Sequence, residues 1–414
     1  MHVLNCFIIK KKLKMKNLPL KIYLLILLTL FFSGCKNDNF KSHLEENEIF
    51  SILRYEIVTI GNKYSYSISN FFSKNNKDNI EDILIEFQAL TKKINSLKIQ
   101  KETDFFISSN KKSIEKIDDE IFELRKTRNL ILLEIEKEIQ KIVKDQIKTE
   151  GIDFKGFVFP PVLIKIFDPP LLLVTSPRNV ISRENEILLN SNMKNSRKKI
   201  IEEKILQEKN TSAIILEIGG LATYPSMIKP NTNIERLFEL TAHEWLHQYL
   251  IFYPLGRSIF KNTKMTEINE TLANIFGKEI SKNICSNKLY KSYCENNDQI
   301  TIENSFNYDT FMKETRKNVD ILLNNHNIIE AEQYMDDRRK ELLNNGIFIR
   351  KINQAWFAFN GTYTDSPTSI SPVFSILKNI QENSNNLKEF IEMLQYINDY
   401  EELLEINNYK YEKK

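Results

Sequence analysis

The chain has 414 residues, 42% hydrophobic and 27% charged, enough to bury one large core or two smaller ones. Its formal charge of +3 comes from its first segment: six lysines and no acid precede Cys35, so the rest carries −3. That balance excludes a basic nucleic-acid face on the folded part, and no nucleic-acid partner is expected.

Segment 1–34 has a lysine-rich start (Lys10, Lys11, Lys12, Lys14, Lys16, Lys21), then the apolar run Ile22 to Phe32, then Ser33-Gly34-Cys35. An apolar run of that length is too short for a bilayer core, which needs about 20 residues. It reads as a cleaved signal peptide, with Met15 standing where a signal of normal length would start. Ser33-Gly34-Cys35 resembles the end of a bacterial lipobox, although Phe32 replaces the usual Leu. The resemblance implies lipidation at Cys35 and a lipid-anchored place in the bacterial cell envelope, outside the cytoplasm. Residues 35–48 then form a polar tether. Cys6 leaves with the signal, and Cys285 and Cys294 remain in a compartment that permits disulfides. Their spacing leaves a bridge and two free thiols both open.

Residues 49–150 read as a helical hairpin or bundle region. Ile114, Ile117, Ile121, Leu124, Ile131, Ile135 and Ile142 follow a three-four repeat, interrupted at Arg128 and Glu138, and the helix pairs with one around Ile83 to Ile99. The texture changes at Gly151. Short strands are expected at Val162 to Phe167, Leu171 to Thr175 and Glu186 to Asn190, then a helix over Lys194 to Lys209 and strand again over Ser212 to Met227. Thr232 with Glu235 gives a capping-box pattern opening a helix through Leu250, stopped near Pro254 and Gly256. The rest is mainly helical, with breaks at Ser281 to Ser305, Asn344 to Gly346 and Asn360 to Pro372. The expected class is α+β, predominantly helical. Residues 151–290 are expected to form a core with a small mixed sheet and a central helix, followed by a helical region over 291–414.

Only His243, His247 and His326 fall in the folded part, and the first two frame His243-Glu244-Trp245-Leu246-His247 in the middle of a predicted helix. Residues four apart share a helix face, so both imidazoles reach one metal while Glu244 projects beside them toward a metal-bound water. A catalytic zinc site needs a third protein ligand and keeps its fourth position for water. The next helix offers Asn269-Glu270-Thr271-Leu272-Ala273-Asn274-Ile275-Phe276-Gly277. This stretch resembles the second zinc motif of thermolysin-like gluzincin metallopeptidases, over roughly residues 212–280. The resemblance implies a zincin-like core, one zinc per chain held by His243, His247 and Glu270, and Glu244 as general base. The family has Asp where this chain has Asn274; an amide there can fix the tautomer of the first histidine, without the charge. Glu267, one turn earlier, is the alternative third ligand.

Ile214 to Met227 resembles the edge strand that pairs with extended substrates in such enzymes. Gly219-Gly220 either lets another backbone come close or forms a bulge. For the group that stabilises the oxyanion the candidates are Tyr363, His326 and Tyr308, and Tyr363 is preferred because it stands on a turn-rich loop. The function expected is zinc-dependent hydrolysis of peptide or protein substrates at a membrane to which the N-terminal lipid holds the enzyme. The alternatives are a zincin fold that binds peptides without turnover and a surface interaction lipoprotein. If Cys35 carries the lipid, Cys35→Ser leaves the protein unprocessed or releases it from membranes. N-terminal sequencing of the mature protein checks this, and a start other than Cys35 refutes it.

Overall fold

The computed structural model describes residues 43–59, 80–107, 111–231, 233–295 and 306–411. The signal segment, Cys35 and Thr232 lie outside the described residues. The fold is α+β and mostly helical.

Helices α1 (Ile80–Ile107) and α2 (Lys111–Thr149) form the expected hairpin. Ile94, Ile117 and Ile121 make a small cluster of their own, whereas Leu84, Phe87, Leu132, Ile135, Ile139, Ile142, Val143 and Ile147 join the main core. The buried stripe of α2 passes to Leu132 and Ile139, leaving Ile131 only partly buried, because 3.6 residues per turn drifts against a 3.5 repeat. Arg128 does not interrupt that stripe as expected but is buried in it, and loss of hydration lowers its pKa against the pull of Asp168. Gly151, at φ 74°, closes α2 in the left-handed conformation that a helix end favours.

The strand region divides between two three-stranded sheets. β1 (Ile164–Ile166), β2 (Leu171–Pro177) and β3 (Asn185–Leu189) are followed by α3 (Asn195–Lys209), then β4 (Thr211–Glu217), β5 (Gly220–Leu221) and β6 (Ser226–Ile228). One sheet has the antiparallel order β3-β2-β4; in the other β6 pairs parallel with β1 and antiparallel with β5. The single strand expected over Ser212 to Met227 is thus broken in three, at Gly219-Gly220 and before Pro225, residues that weaken or cannot continue a ladder.

Alternation along β2 and β4 gives their sheet two buried faces. Leu171, Leu173, Ala213 and Ile215 pack on Ile201 and Ile205 of α3. Leu172, Val174 and Ile214 pack on Ala355 and Phe359, with Tyr363 at the margin. Buried Glu202 fastens α3 to the sheet by accepting from Ile215 N (2.8 Å) and from Arg350.

Helix α4 (Ile234–Leu250) starts at Asn233, whose side chain accepts from Arg236 N at 3.1 Å. After the short α5 (Pro254–Arg257), α6 (Thr263–Ser286) opens on an Asn262 cap and runs beyond the break expected at Ser281. Cys285 and Cys294 are bonded, tying α6 to α7 (Lys291–Glu295). Helices α8 (Tyr308–Asn324) and α9 (Ile328–Asn344) share a separate core around Met312, Val319, Met335 and Leu342. Next comes α10 (Gln354–Asn360), and then α11 (Val373–Glu382), α12 (Leu387–Leu394) and α13 (Tyr400–Tyr411), which cover the main core with Leu377, Phe390 and Leu403. Among the described residues no helix is long and apolar enough to cross a membrane.

Candidate metal centre

Helices α4 and α6 make the most extensive contact between two elements, and Gly277 sets how closely they meet. A Cβ at Gly277 would fall 2.6 Å from the Glu239 carbonyl oxygen and 3.3 Å from His243 Cβ, so only glycine lets the backbones approach this far. Two turns back along α6, Glu270 then faces the pair of histidines. The remaining faces of α4 are fixed from outside. Trp245 Nε1 donates to Pro160 O (2.7 Å), and Gln248 Nε2 donates to Thr223 O (2.5 Å) and Ser226 Oγ (2.7 Å), seating the β5–β6 turn on the helix.

His243 Nε2 and His247 Nε2 lie 3.0 Å apart, and Glu270 Oε2 is 3.6 Å from each. A triangle with those sides has its corners about 2.0 Å from a common point, the length of a Zn–N or Zn–O bond. Two imidazoles and a carboxylate are also the donor set of catalytic zinc, so the residues fit the ion that the sequence implies. His247 Nδ1 donates to Asn269 Oδ1 (2.7 Å), whose own Nδ2 donates to Leu255 O (3.4 Å). That chain fixes the tautomer and leaves the Nε2 lone pair for a metal. Burial alone would lower the His247 pKa, but the charge and hydrogen bond of Glu270 push it up to about 9. Burial works against ionisation of Glu270 too; the two imidazoles overcome it and hold the carboxyl well below the usual carboxylate range.

Glu244 is buried and has an oxygen within 4.8 Å of the nitrogens of both histidines. Proximity alone would make it a ligand as readily as Glu270. Glu270 differs from it in lying at matched distances, 3.6 Å, from the two imidazoles. At Gly220 it is a side chain that comes close, not another backbone: a Cβ there would fall inside contact distance of Glu244 Oε1 and 2.9 Å from its Cδ. The edge strand β5 therefore lies directly against this carboxylate. Burial pushes the Glu244 carboxyl above its ordinary range, opposed by His243 and His247.

Glu267, the alternative ligand, is engaged elsewhere, accepting from Lys264 Nζ (3.0 Å) and Ser371 Oγ (2.6 Å). Asn274 does not meet His243 through any described hydrogen bond; its amide donates to Asp365 Oδ1 (3.0 Å), which Lys278 also reaches (2.6 Å). An Asp at 274 would repel that carboxylate.

The same loop carries Tyr363. Thr364 is bonded to Thr271, side chain to side chain (2.7 Å) and through its N–H (3.1 Å), so Thr364 and Asp365 both dock on the helix of Glu270. On the other side Arg183 Nη1 donates to Thr362 Oγ1 (3.1 Å). The guanidinium and the Tyr363 ring both rest on Phe359, at 5.4 and 5.7 Å. Burial, then the charges of Glu270 and Glu244, push the Tyr363 phenol well above its ordinary pKa, with Arg183 opposing. Tyr308 lies instead in the α8–α9 core, and His326 is exposed in the turn between those helices at φ 63°.

Sequence reasoning missed Arg183, Asn269 and Asp365. Asn269 was recoverable as the residue preceding the glutamate ligand. Arg183 and Asp365 act across 179 and 91 residues of chain and carry no local signal.

Comparison with protein-family models, curated proteins and solved structures finds no match to this chain. The site therefore rests on its own geometry. About one zinc per chain is expected by elemental analysis, lost in His243→Ala, His247→Ala and Glu270→Ala and kept in Glu267→Ala; loss in Glu267→Ala alone would reverse the ligand assignment. Asn274→Asp separates two roles. If residue 274 orients His243, the acid tightens zinc binding. If it holds the loop, as the geometry indicates, zinc content is unchanged and stability falls by about 1–3 kcal/mol, since a buried carboxylate loses its donor. Thermal unfolding with parallel metal analysis distinguishes them.

Proposed function

We propose that this chain is a zinc-dependent hydrolase of peptide bonds, of the gluzincin type, held to the outside of the bacterial membrane by a lipid on Cys35. The observation that carries the reading is the His243–His247–Glu270 triangle with a second, buried carboxylate beside it. The disulfide is in keeping with an oxidising compartment.

A zinc ion held by His243, His247 and Glu270 would polarise the scissile carbonyl and lower the pKa of a bound water. Glu244 would act as general base, taking a proton from the attacking water and returning it to the leaving amine. Burial suits it to this, because a carboxyl raised toward the working pH both accepts and returns a proton readily. The β5 edge, pressed against Glu244 by Gly220, offers unpaired main-chain groups to an extended peptide. Strand addition of that kind aligns the scissile bond with tolerance for side-chain sequence. Tyr363 carries a neutral phenol whose hydroxyl would donate to the oxyanion as charge builds. Arg183 positions it, fastening Thr362 and sharing the Phe359 ring.

Assay against a peptide library tests the reading together with two substitutions. Glu244→Gln keeps its zinc and loses hydrolysis; loss of zinc instead would make Glu244 a ligand. Tyr363→Phe keeps zinc and thermal stability and loses about a hundredfold or more in turnover, with little change in KM. Turnover within about threefold of the parent, under about 1 kcal/mol of barrier, would make Tyr363 structural.

A further inference from the structure

Between α2 and β1 the chain makes a tight two-stranded tip. Phe154 N donates to Phe157 O (2.9 Å) and Phe157 N donates to Phe154 O (3.0 Å), while Lys155 and Gly156 turn the chain at φ 51° and 87°. Two positive φ values make the stiff two-residue turn that matches the twist of a hairpin. Asp153 locks it by accepting from Gly156 N at 2.5 Å. A Cβ built on Gly156 meets nothing within 4 Å, so the turn stands clear of the surface.

Directly opposed residues of such a pair send their side chains to the same side. Phe154 is 70% exposed and Phe157 76%. Alternation then puts Val158 against the main core and Phe159 outward again, 40% exposed, with its ring 5.3 Å from that of Phe252 just past α4. Scattered exposed apolar side chains are ordinary, but a contiguous aromatic ridge on a rigid projecting turn is not.

Its surroundings favour one occupant. Lys155 stands at its apex, 5.4 Å from the Phe154 ring, and exposed Lys148 lies on the last turn of α2 with no ion-pair partner among the described residues. The nearby acids are engaged: Asp153 by Gly156 N, and Glu150 by Gln146 (2.7 Å) and Asn283 (2.9 Å). Those donors are neutral, so the two acids offset the charge of Lys148 and Lys155, and an exposed aromatic tip of balanced charge suits the interfacial zone of a bilayer. The lysine-rich, apolar segment before Cys35 independently directs the chain to a membrane.

We infer that the Phe154–Phe159 tip is a membrane-seating element whose rings enter the interfacial zone of a bilayer. This holds whether or not the metal centre is catalytic. The test uses the full chain on phosphatidylcholine vesicles with brominated acyl chains, with and without phosphatidylglycerol, and reads tryptophan emission as a difference from the parent, which has Trp245 and Trp356. Phe157→Trp should lose about half of its added emission on brominated vesicles, whether or not phosphatidylglycerol is present. Ile329→Trp, at a 78% exposed site on α9, should be unaffected. Adding Phe154→Ser to Phe157→Trp, a change at an exposed position, should weaken the quenching severalfold. Emission from Phe157→Trp that brominated lipid leaves unchanged while the protein floats with the vesicles would overturn the inference and turn the ridge toward a protein partner. Equal quenching at positions 157 and 329 would overturn it too, since lipid would then be contacting the protein without regard to the tip.

Discussion

The contact between α4 and α6 at Gly277 is the constraint from which the rest of the site follows. A glycine there removes the one Cβ that would hold the two backbones apart, and the helices close until His243 lies against it. Only at that separation does Glu270 Oε2 come to matched distances from His243 and His247, two turns along the crossing. The surrounding packing maintains the approach. Trp245 and Phe276 stack at 5.9 Å, and Leu272, Ala273 and Ile280 seal the core around the crossing.

The site is assembled in concentric steps, each able to tolerate less displacement than the one outside it. Asn269 fixes one imidazole, and Gly220 brings the edge strand onto Glu244. The loop of Tyr363 is held on both flanks, by Thr271, Asn274 and Lys278 on one side and Arg183 on the other. Polar groups of this kind are effective where water is excluded, because a buried donor without its acceptor is costly.

What was legible in the sequence was what local periodicity encodes. The HExxH spacing requires a helix to be meaningful, and the apolar pattern around it supplies one; the Asn-Glu stretch lies on the next helix for the same reason. The strands at 162–190 and the hairpin of α1 and α2 were readable from alternation and from a three-four repeat. Failures occur where a distant residue decides. Asn274 looked like a weakened copy of an acid that orients a histidine, because nothing near it in sequence reveals Asp365. Arg128 looked like an interruption of an apolar stripe, since burial of a charge depends on what packs over it. The strand over Ser212 to Met227 was drawn as one because glycine was weighed as a local irregularity, not as the point where chain leaves one sheet for another.

The division of the α1–α2 hairpin also has a consequence for how the molecule comes apart. At 39 residues α2 is about 58 Å long, and only its second half shares the core that surrounds the metal centre. Its first half rests on α1 through Ile94, Ile117 and Ile121, with buried Arg128 between the two zones. Local stability follows local burial, so amide protons in the outer zone exchange through openings that leave the inner zone closed. The outer hairpin, held beyond its own cluster by the pairing of Lys98 and Arg125 with Asp168, is expected to open before the zone that spaces His243, His247 and Glu270.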